Sequence, residues 1–323
     1  MIEKICRLEG IGMLHGSVPN GGLALSKAVA IYAENGRGKS TLAHLLGSLS
    51  DNDCTEVRAR QALRQEGEPY AQLLVNGAEH TLSGGSWDRN YEGLHLFDER
   101  FVEGHVCVGS LIGVKHLERL LAYALGNEPA QTAEEVADAL DDCRDGANSR
   151  LREFLADFEI ATLDRNDTGA APRADYTLRL MGNQVPLVAA DPTSPTFATT
   201  LSSGDRRLLA LALFFYALDS DRDLSGKTIV LDDPARGLDR RRKTRLAEAV
   251  MGFVGRAQMI LLSHDAEFIR MMRERGFDQV LQLHRSGVYC VFEDCDIDAV
   301  LAADYTDRFA EPDNFLSGGH PTF

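Results

Sequence analysis

The sequence predicts an α/β fold with a mixed, mostly parallel sheet and an N-terminal antiparallel β portion. Short apolar segments with the character of strands alternate with helical segments along the chain, and this alternation is typical of parallel sheets. A glycine-rich loop at 33–41 lies between such a strand and such a helix. Two more apolar segments, 228–233 and 258–264, have the length of buried strands and end in acidic or histidine side chains. No internal repeat is present, so a repeat architecture is not expected.

The composition is typical of a soluble intracellular protein. Of 323 residues, 44% are hydrophobic and 26% are charged. No apolar run approaches the roughly eighteen residues of a membrane span, and the N-terminal segment lacks the apolar run of a signal peptide. The six cysteines form no C-x-x-C pair, which favours reduced thiols. We therefore expect a cytoplasmic protein without a membrane partner.

The charge of the chain argues against general electrostatic binding of nucleic acid. The formal net charge is −15, whereas phosphate backbones are bound through local excesses of Lys and Arg. One basic cluster stands out in a predicted helix, and it consists of Arg240, Arg241, Arg242, Lys243 and Arg245. A solvated helix face is the favoured interpretation of this cluster, and a local nucleic-acid patch is the alternative.

The first half of the chain is expected to contain strands at 2–12 and 23–33, a helix after the glycine loop, and short strands between 55 and 110. The pattern of 114–158 is helical, with a break of small and polar residues at Gly146-Ala147-Asn148-Ser149. Two helices joined by a tight turn at this break fit the pattern.

The second half is expected to alternate strands with helices. Apolar patterns predict strands at 158–163, 176–187, 228–233 and 258–264, and helices at 202–219 and 238–255. The tail, 304–323, has the composition of a loosely structured segment. The expected organisation is an N-terminal lobe at 1–113, a helical hairpin at 114–158 and a C-terminal lobe at 159–323.

The glycine-rich loop carries the strongest motif of the chain. Ala33–Thr41 matches the phosphate-binding loop G-x-x-x-x-G-K-[ST], with Ala33 in place of the first glycine. The methyl group of Ala33 is tolerable where its φ is negative. Loop amides and the N-terminus of the following helix favour phosphate. We predict bound ATP and Mg²⁺, with Lys39 bridging the β and γ phosphates and Ser40 ligating the metal. The predicted nucleotide contacts of the loop are Asn35, Gly36, Arg37, Gly38, Lys39, Ser40 and Thr41.

The second motif is a buried strand that ends in two acids, Asp232 and Asp233. In P-loop enzymes a carboxylate at the end of such a strand holds the Mg²⁺ shell, and we assign this role to Asp232. Asp233 follows, and we predict that it orients the attacking water and accepts its proton. An acidic pair is also common as a plain strand end, and the nearby phosphate loop motif favours the catalytic interpretation.

The third motif leads to a family resemblance. Leu201-Ser202-Ser203-Gly204-Asp205 resembles the L-S-x-G-[QE] signature of ABC ATPases, and a long apolar helix follows it. The resemblance implies that Ser202, Ser203 and Gly204 bind the nucleotide held by a second copy of the chain. Ser202 is also a suitable helix N-cap, which is the alternative explanation.

Two shorter segments extend this resemblance. Gly237-Leu238-Asp239 resembles the D-loop, which makes Asp239 a predicted nucleotide contact. Leu261–Asp265 resembles the switch segment, in which His264 senses the γ-phosphate. The five motifs follow the order of the family, and the resemblance therefore implies an ABC ATPase head.

Further segments resemble one branch of this class. The runs ENGRGKST, Leu94–Val102, LREFLADFEI, VLDDPARGLD and LLSHDAEFI are similar to heads of the anticodon-nuclease-associated (RloC and PrrC-like) ATPases, which are related to SMC, RecF and RecN heads. This resemblance places Asp98 at the position of the glutamine loop, touching Mg²⁺ through water. It also makes 114–158 the stub of a coiled-coil arm, because such relatives carry a long antiparallel coiled coil there.

The resemblance implies an ATPase that dimerises around two ATP molecules and controls a nucleic-acid transaction in repair or antiviral defence. DNA or RNA would be engaged through a full-length protein or a partner effector. The chain ends about sixty residues after His264, so no nuclease activity is expected of it. Two alternatives stay open: a nucleotide-sensing module with negligible hydrolysis, and the ATPase subunit of a transporter.

Overall fold

The computed structural model describes residues 1–63, 67–106, 114–125, 132–168, 171–187 and 193–303. The chain forms two compact units. The first unit combines Met1–Glu92 with Gln258–Phe323, and the second unit is Gly93–Ala257. The first unit is thus built from both ends of the chain.

Strands and helices alternate between 203 and 286 as expected, whereas consecutive strands occupy 70–97 and 158–186. The strands are β1 (Ile2–Glu9), β2 (Leu23–Ala24), β3 (Ala28–Tyr32), β4 (Tyr70–Val75), β5 (Ala78–Ser83), β6 (Ser86–Trp87), β7 (Leu94–Phe97), β8 (Phe158–Asn166), β9 (Arg173–Leu180), β10 (Asn183–Pro186), β11 (Thr228–Asp232), β12 (Gln258–Ser263), β13 (Gln279–Ser286) and β14 (Tyr289–Asp294). The helices are α1 (Lys39–Asp51), α2 (Thr55–Ala59), α3 (Glu99–His105), α4 (Val114–Leu125), α5 (Ala133–Glu153), α6 (Phe197–Thr200), α7 (Ser203–Ser220), α8 (Arg240–Met251) and α9 (Ala266–Arg275), and 297–303 is also helical.

The first unit contains strands of two sheets. One has the order β2-β1-β4-β5-β6, with antiparallel neighbours throughout. In the other, β3 lies between β12 and β13 and is parallel to both, while β14 pairs antiparallel with β13. The parallel pairing of β3 with β12 brings two of the predicted strands side by side.

The second unit contains a parallel strand pair and an antiparallel sheet. Strands β7 and β11 are parallel, and β8, β9 and β10 form an antiparallel sheet in the order β10-β9-β8. Helix α5 packs against α7 and against β8, and α4 contacts α5 and β9.

The apolar segments at 228–233 and 258–264 are confirmed as strands to within one residue. Every residue of β11 and of β12 is buried. A parallel strand that is covered on both faces needs a continuous apolar run, and this explains why periodicity identified both strands. The helix predicted at 202–219 is confirmed as α7. The helix predicted at 238–255 is confirmed as α8, which begins two residues later and ends four residues earlier.

The single strand predicted at 23–33 is wrong, because the segment forms β2 and β3 in different sheets. The break at Ser26 is stabilised by two glutamine side chains. Ser26 donates its backbone N–H to Gln279 Oε1 at 2.8 Å, and its carbonyl accepts from Gln258 Nε2 at 3.0 Å. Distant side chains therefore satisfy backbone groups that a continuous strand would have paired in a ladder.

The segment 94–102, which belongs to the family resemblance, and the strand predicted at 176–187 each contain more than one element. In the first, β7 ends at Phe97 and α3 begins, with Asp98 accepting the backbone N–H of Phe101 as its N-cap. In the second, β9 and β10 form a hairpin whose turn is Met181-Gly182, with φ of 51° and 81°. Both turn residues are left-handed, as the tightest hairpin turns require.

The tight turn predicted at 146–149 is wrong, because α5 runs through these residues. A Cβ on Gly146 would lie 2.3 Å from Tyr216 Cδ2, so the glycine allows a close approach of α5 to α7. Asn148 is buried, and its side-chain amide forms two hydrogen bonds with the backbone of Ile160 in β8. Its Oδ1 accepts from the Ile160 N–H at 2.7 Å, and its Nδ2 donates to the Ile160 carbonyl at 2.8 Å. The small and polar residues serve packing instead of a turn. The connection between α4 and α5, 126–131, lies outside the described residues.

The composition also predicted reduced thiols, the absence of a membrane span and a loosely structured tail. The cysteines within the described ranges are free thiols, and Cys107 lies outside those ranges. Within the same part of the chain, none of the helices is both long and apolar enough to cross a bilayer. The predicted loose tail, 304–323, also lies outside the described residues.

Candidate nucleotide-binding site

The glycine loop of the first unit has the backbone geometry of a phosphate cradle. Gly36 and Gly38 have φ of 77° and 103°, which residues with a Cβ rarely adopt. A Cβ on Gly38 would also lie 3.1 Å from Leu14 Cδ2. Helix α1 begins at the next residue, Lys39, so the amides of its first turn have no acceptor within the helix. This arrangement fits an anion such as a nucleotide phosphate.

Ala33 meets the condition that its place in the loop requires. Its φ is negative, and it is 1% exposed. Its backbone N–H donates to the carbonyl of Ser263 at 3.0 Å, which ties the start of the loop to the end of β12. The alanine is therefore compatible with a phosphate-binding loop.

Lys39 is held across the start of the loop. Its side chain is buried, and Nζ donates to the carbonyls of Ala33 at 2.8 Å and of Glu34 at 3.2 Å. Arg37 forms an ion pair with Glu34 at 2.6 Å. Asn35, Gly36 and Ser40 are exposed, while Thr41 is half-buried, so the loop tip and the Ser40 hydroxyl are accessible.

The predicted switch histidine lies at the same sheet edge as the loop. Tyr32 of β3 is paired in register with Ser263 of β12, so Ala33 and His264 each follow a paired residue at the carboxyl end of parallel strands. His264 is half-buried. Asp265 then caps α9 by accepting the backbone N–H of Phe268 at 3.0 Å. The first unit thus brings the phosphate loop and His264 together.

The second unit brings two predicted metal ligands to one strand edge. Phe97 of β7 is paired in register with Leu231 of β11. Asp98 directly follows Phe97 and Asp232 directly follows Leu231, so both aspartates lie at the carboxyl ends of neighbouring parallel strands. Both are buried, at 3% and 6% exposure. Asp98 also accepts from the Phe101 backbone N–H and from Arg100 Nε, both at 2.9 Å.

The two buried carboxylates at this edge are compatible with Mg²⁺. Among the described residues, no three His, Cys, Asp or Glu side chains converge as a metal site. Mg²⁺ is usually held by one or two carboxylates together with substrate phosphates and water. Within the second unit, Asp98 and Asp232 are the two carboxylates that would serve such a site.

Asp233, the predicted base, has an unusual backbone. Its φ is 46°, in the left-handed region that few residues other than Gly, Asn and Asp adopt. Its carbonyl accepts the backbone N–H of Arg236 at 3.2 Å in the following turn. Left-handed residues cluster at functional sites, and this conformation agrees with a catalytic position for Asp233.

Arg207 is a residue that the motifs did not identify. It is 6% exposed, and both of its Nη atoms lie 3.1 Å from Glu99 Oε2. Burial lowers the pKa of Arg207, and the neighbouring carboxylates of Glu99, Asp233 and Asp232 oppose this shift. An arginine on the otherwise apolar face of α7 is the sequence feature by which it could have been found.

The signature segment caps α7. Asp205 donates its backbone N–H to Ser202 Oγ at 3.1 Å, and Asp205 Oδ2 accepts from the Ser202 hydroxyl at 2.7 Å and backbone N–H at 3.1 Å. Ser202 and Ser203 are exposed. The capping explanation of Ser202 is confirmed, and an N-terminus with exposed hydroxyls also keeps the phosphate-binding interpretation open.

The segment predicted to be the D-loop packs against the signature. A Cβ on Gly204 would lie 2.7 Å from the carbonyl oxygen of Gly237, so only glycine allows this contact. Asp239 caps α8 by accepting the backbone N–H groups of Arg241 at 2.9 Å and of Arg242 at 3.0 Å. These backbone donors lower the pKa of Asp239. Ser202, Ser203, Gly204 and Asp239 therefore lie in two segments of the second unit that contact each other.

Comparison with known proteins identifies the fold. No protein-family model matches the chain, and no curated protein matches it. Among solved structures, it is similar to an SMC head bound to the C-winged helix domain of ScpA, with a TM-score of 0.62 at 13% identity, over 93% of this chain and 99% of that chain. The fold is that of an SMC head.

A second SMC head supports this result. The head domain with an extended coiled coil from Pyrococcus furiosus, bound to the C-terminal domain of ScpA, has a TM-score of 0.55 at 11% identity, over 95% of this chain and 99% of that chain. The SMC-head fold agrees with the ABC ATPase head predicted from the motifs. The narrower resemblance to RloC and PrrC-like heads stays a prediction.

Proposed function

We propose that this chain is an ATP-binding and ATP-hydrolysing head that works as an ATP-dependent homodimer. The phosphate cradle formed by Gly36, Gly38 and Lys39 at the N-terminus of α1 carries this proposal. The SMC-head fold supports it, because the sequence motifs occur in the order of ABC ATPases on that fold.

Each nucleotide site combines residues of two copies of the chain. One copy supplies the loop contacts of Asn35 to Thr41, with Lys39 on the β and γ phosphates, and it supplies Asp98, Asp232, Asp233 and His264. The second copy supplies Ser202, Ser203, Gly204 and Asp239.

The proposed chemistry divides among a few side chains. Lys39 and the loop amides offset the phosphate charge, and Ser40, Asp98 and Asp232 are the residues that would hold Mg²⁺, whose charge would help to polarise the phosphates. Asp233 orients the attacking water and accepts its proton, while His264 contacts the γ-phosphate. The same roles suggest an alternative of slow or negligible hydrolysis, because an aspartate side chain at 233 is one methylene shorter than glutamate.

In this proposal, ATP-dependent dimerisation of the heads controls the activity of another molecule. SMC heads of similar fold bind domains of ScpA, and a protein partner of this kind is one candidate for the present chain. The RloC and PrrC-like resemblance favours an effector acting on DNA or RNA in repair or antiviral defence.

The test of this function is the loss of ATP binding in Lys39→Ala. We expect calorimetry with ATP and Mg²⁺ to show at least a tenfold weaker affinity, about 1.4 kcal/mol, because the variant lacks the ammonium that offsets the phosphates. Lys27 is exposed in the same unit, and Lys27→Ala is the matched control with unchanged affinity. Parent-like affinity of Lys39→Ala would disprove the assignment of the loop.

A further inference from the structure

Arg242 is the centre of an ion network that joins separate parts of the second unit. Its Nη1 donates to Asp205 Oδ1 at 3.1 Å and its Nη2 to Asp157 Oδ2 at 3.2 Å. Its Nε lies 3.6 Å from Asp239 Oδ2. The side chain of Arg242 is 17% exposed, so these interactions are partly shielded from solvent.

The contact with Asp205 reaches the signature serine. Asp205 uses its two carboxylate oxygens for different partners, since Oδ2 accepts from the hydroxyl and backbone N–H of Ser202 while Oδ1 accepts from Arg242. The guanidinium therefore holds the carboxylate that in turn holds Ser202. Removal of Arg242 would release Asp205 from α8.

The contact with Asp239 reaches the predicted D-loop. Asp239 Oδ1 caps α8 through two backbone N–H groups, and its other oxygen faces Arg242 Nε. The carbonyl of Gly237 lies against Gly204, where a Cβ would not fit. The signature and D-loop segments are thus joined by the backbone contact between Gly204 and Gly237 and by the side chain of Arg242, which interacts with Asp205 and Asp239.

The geometry of arginine suits this position. Its planar fork offers several N–H donors in fixed directions, whereas a lysine ammonium acts as a single compact charge. Three carboxylates from different segments would repel one another without a cation between them. Two of the other basic residues in this cluster differ, because Arg245 pairs with Glu248 of its own helix and Arg241 is exposed.

We propose that Arg242 is a positioning residue that holds Ser202 and Asp239 in one arrangement, so that both meet the nucleotide of a second copy together. This inference rests on the proposed ATP-dependent homodimer. It assigns to Arg242 a role in forming the dimer and leaves nucleotide binding by the single chain to Lys39.

The test compares Arg242→Gln with Arg245→Gln, each in the Asp233→Asn background, in which hydrolysis does not empty the sites. We expect Arg242→Gln to weaken the ATP-induced dimer at least tenfold in sedimentation, while calorimetry shows unchanged ATP affinity of the single chain. Arg245→Gln removes the same charge from the same helix and should dimerise like its parent. Arg242→Lys should recover only part of the loss, because it keeps the charge without the fork.

A second measurement is independent of dimerisation. Without nucleotide, Arg242→Gln should speed hydrogen exchange at the Asp205 and Arg241 amides together, since both caps lose the same support. Exchange in Arg245→Gln should match the parent at both amides. An unchanged exchange pattern in Arg242→Gln would contradict the proposed connection.

The outcomes separate this inference from the function on which it rests. If the Asp233→Asn chain does not dimerise with ATP, the homodimer and the positioning role both fail. If that chain dimerises and Arg242→Gln dimerises equally well, the positioning role alone fails. An equal loss in Arg245→Gln would also overturn it, because general helix charge would then explain the effect.

Discussion

Asp233 combines a catalytic assignment with a left-handed backbone. At φ of 46° a Cβ-bearing residue costs about 1–2 kcal/mol relative to the right-handed region, and Asp and Asn bear this conformation best. This backbone preference favours aspartate over glutamate at position 233. It also shows that asparagine is the substitution that leaves the turn intact.

We predict that Asp233→Asn abolishes turnover and preserves ATP binding, because the amide keeps the shape but does not accept a proton. Phosphate release measures the turnover, and calorimetry measures the binding. The free energy of unfolding should stay close to that of the parent, since Asn tolerates the same φ. Hydrolysis at the parental rate would show that Asp233 is not the base.

At the scale of elements, α5 is fitted to its neighbours by small and polar residues. Gly146 lets α5 approach Tyr216 of α7, and Asn148 acts toward Ile160 as a neighbouring strand would, with one donor and one acceptor. Hydrogen bonds between a helix side chain and a strand backbone fix the position of α5 along β8. Apolar packing alone would allow α5 to slide.

We predict that Asn148→Leu lowers the free energy of unfolding by about 2–4 kcal/mol, although the two side chains have similar volume. The reason is that the buried N–H and carbonyl of Ile160 would both lose their partner. Urea denaturation followed by circular dichroism measures the change. Asn183 is exposed in the turn region of β10, and Asn183→Leu is the control with little effect. Equal stability of Asn148→Leu and the parent would contradict this role of the amide.

At the scale of the whole molecule, the proposed function requires a second copy of an acidic chain. The net charge of −15 makes two copies repel one another, so bound cations and specific contacts must offset this repulsion. A two-fold axis makes both nucleotide sites equivalent. ATP and Mg²⁺ are therefore expected to control association directly.

We predict that the Asp233→Asn chain is a monomer without nucleotide and a two-fold dimer with ATP, as measured by sedimentation. Ser202→Arg should block dimerisation through its bulk at an exposed position. Ser203→Asp should do the same by bringing a carboxylate toward the phosphate, while its charge suits the N-terminus of α7.

Gly204 is less suitable for this experiment, because any Cβ there meets the carbonyl of Gly237 at 2.7 Å. Both variants should bind ATP as single chains with parental affinity. If both still dimerise and hydrolyse ATP normally, each chain contains a complete site, and the shared-site mechanism is wrong.

The sequence alone determined the features that depend on local chemistry. The conformation of the glycine-rich loop was predictable because Gly36 and Gly38 permit left-handed backbone, a helix pattern begins at Lys39 and an apolar strand precedes them. The strands before Asp232 and His264 were predictable because strands buried on both faces are continuously apolar. The cap at Ser202 follows from spacing to Asp205 alone.

Only the tertiary structure decided the features that depend on residues distant in sequence. The break at Ser26 depends on Gln258 and Gln279, and the need for glycine at 146 depends on the close approach of Tyr216. The network of Arg242 depends on Asp157, which lies 85 residues away. Periodicity reports which face of a segment is buried, but it does not report which side chains meet that face. The physical reason is that these contacts form between segments that are distant in sequence, so the local order of apolar and polar residues does not record them.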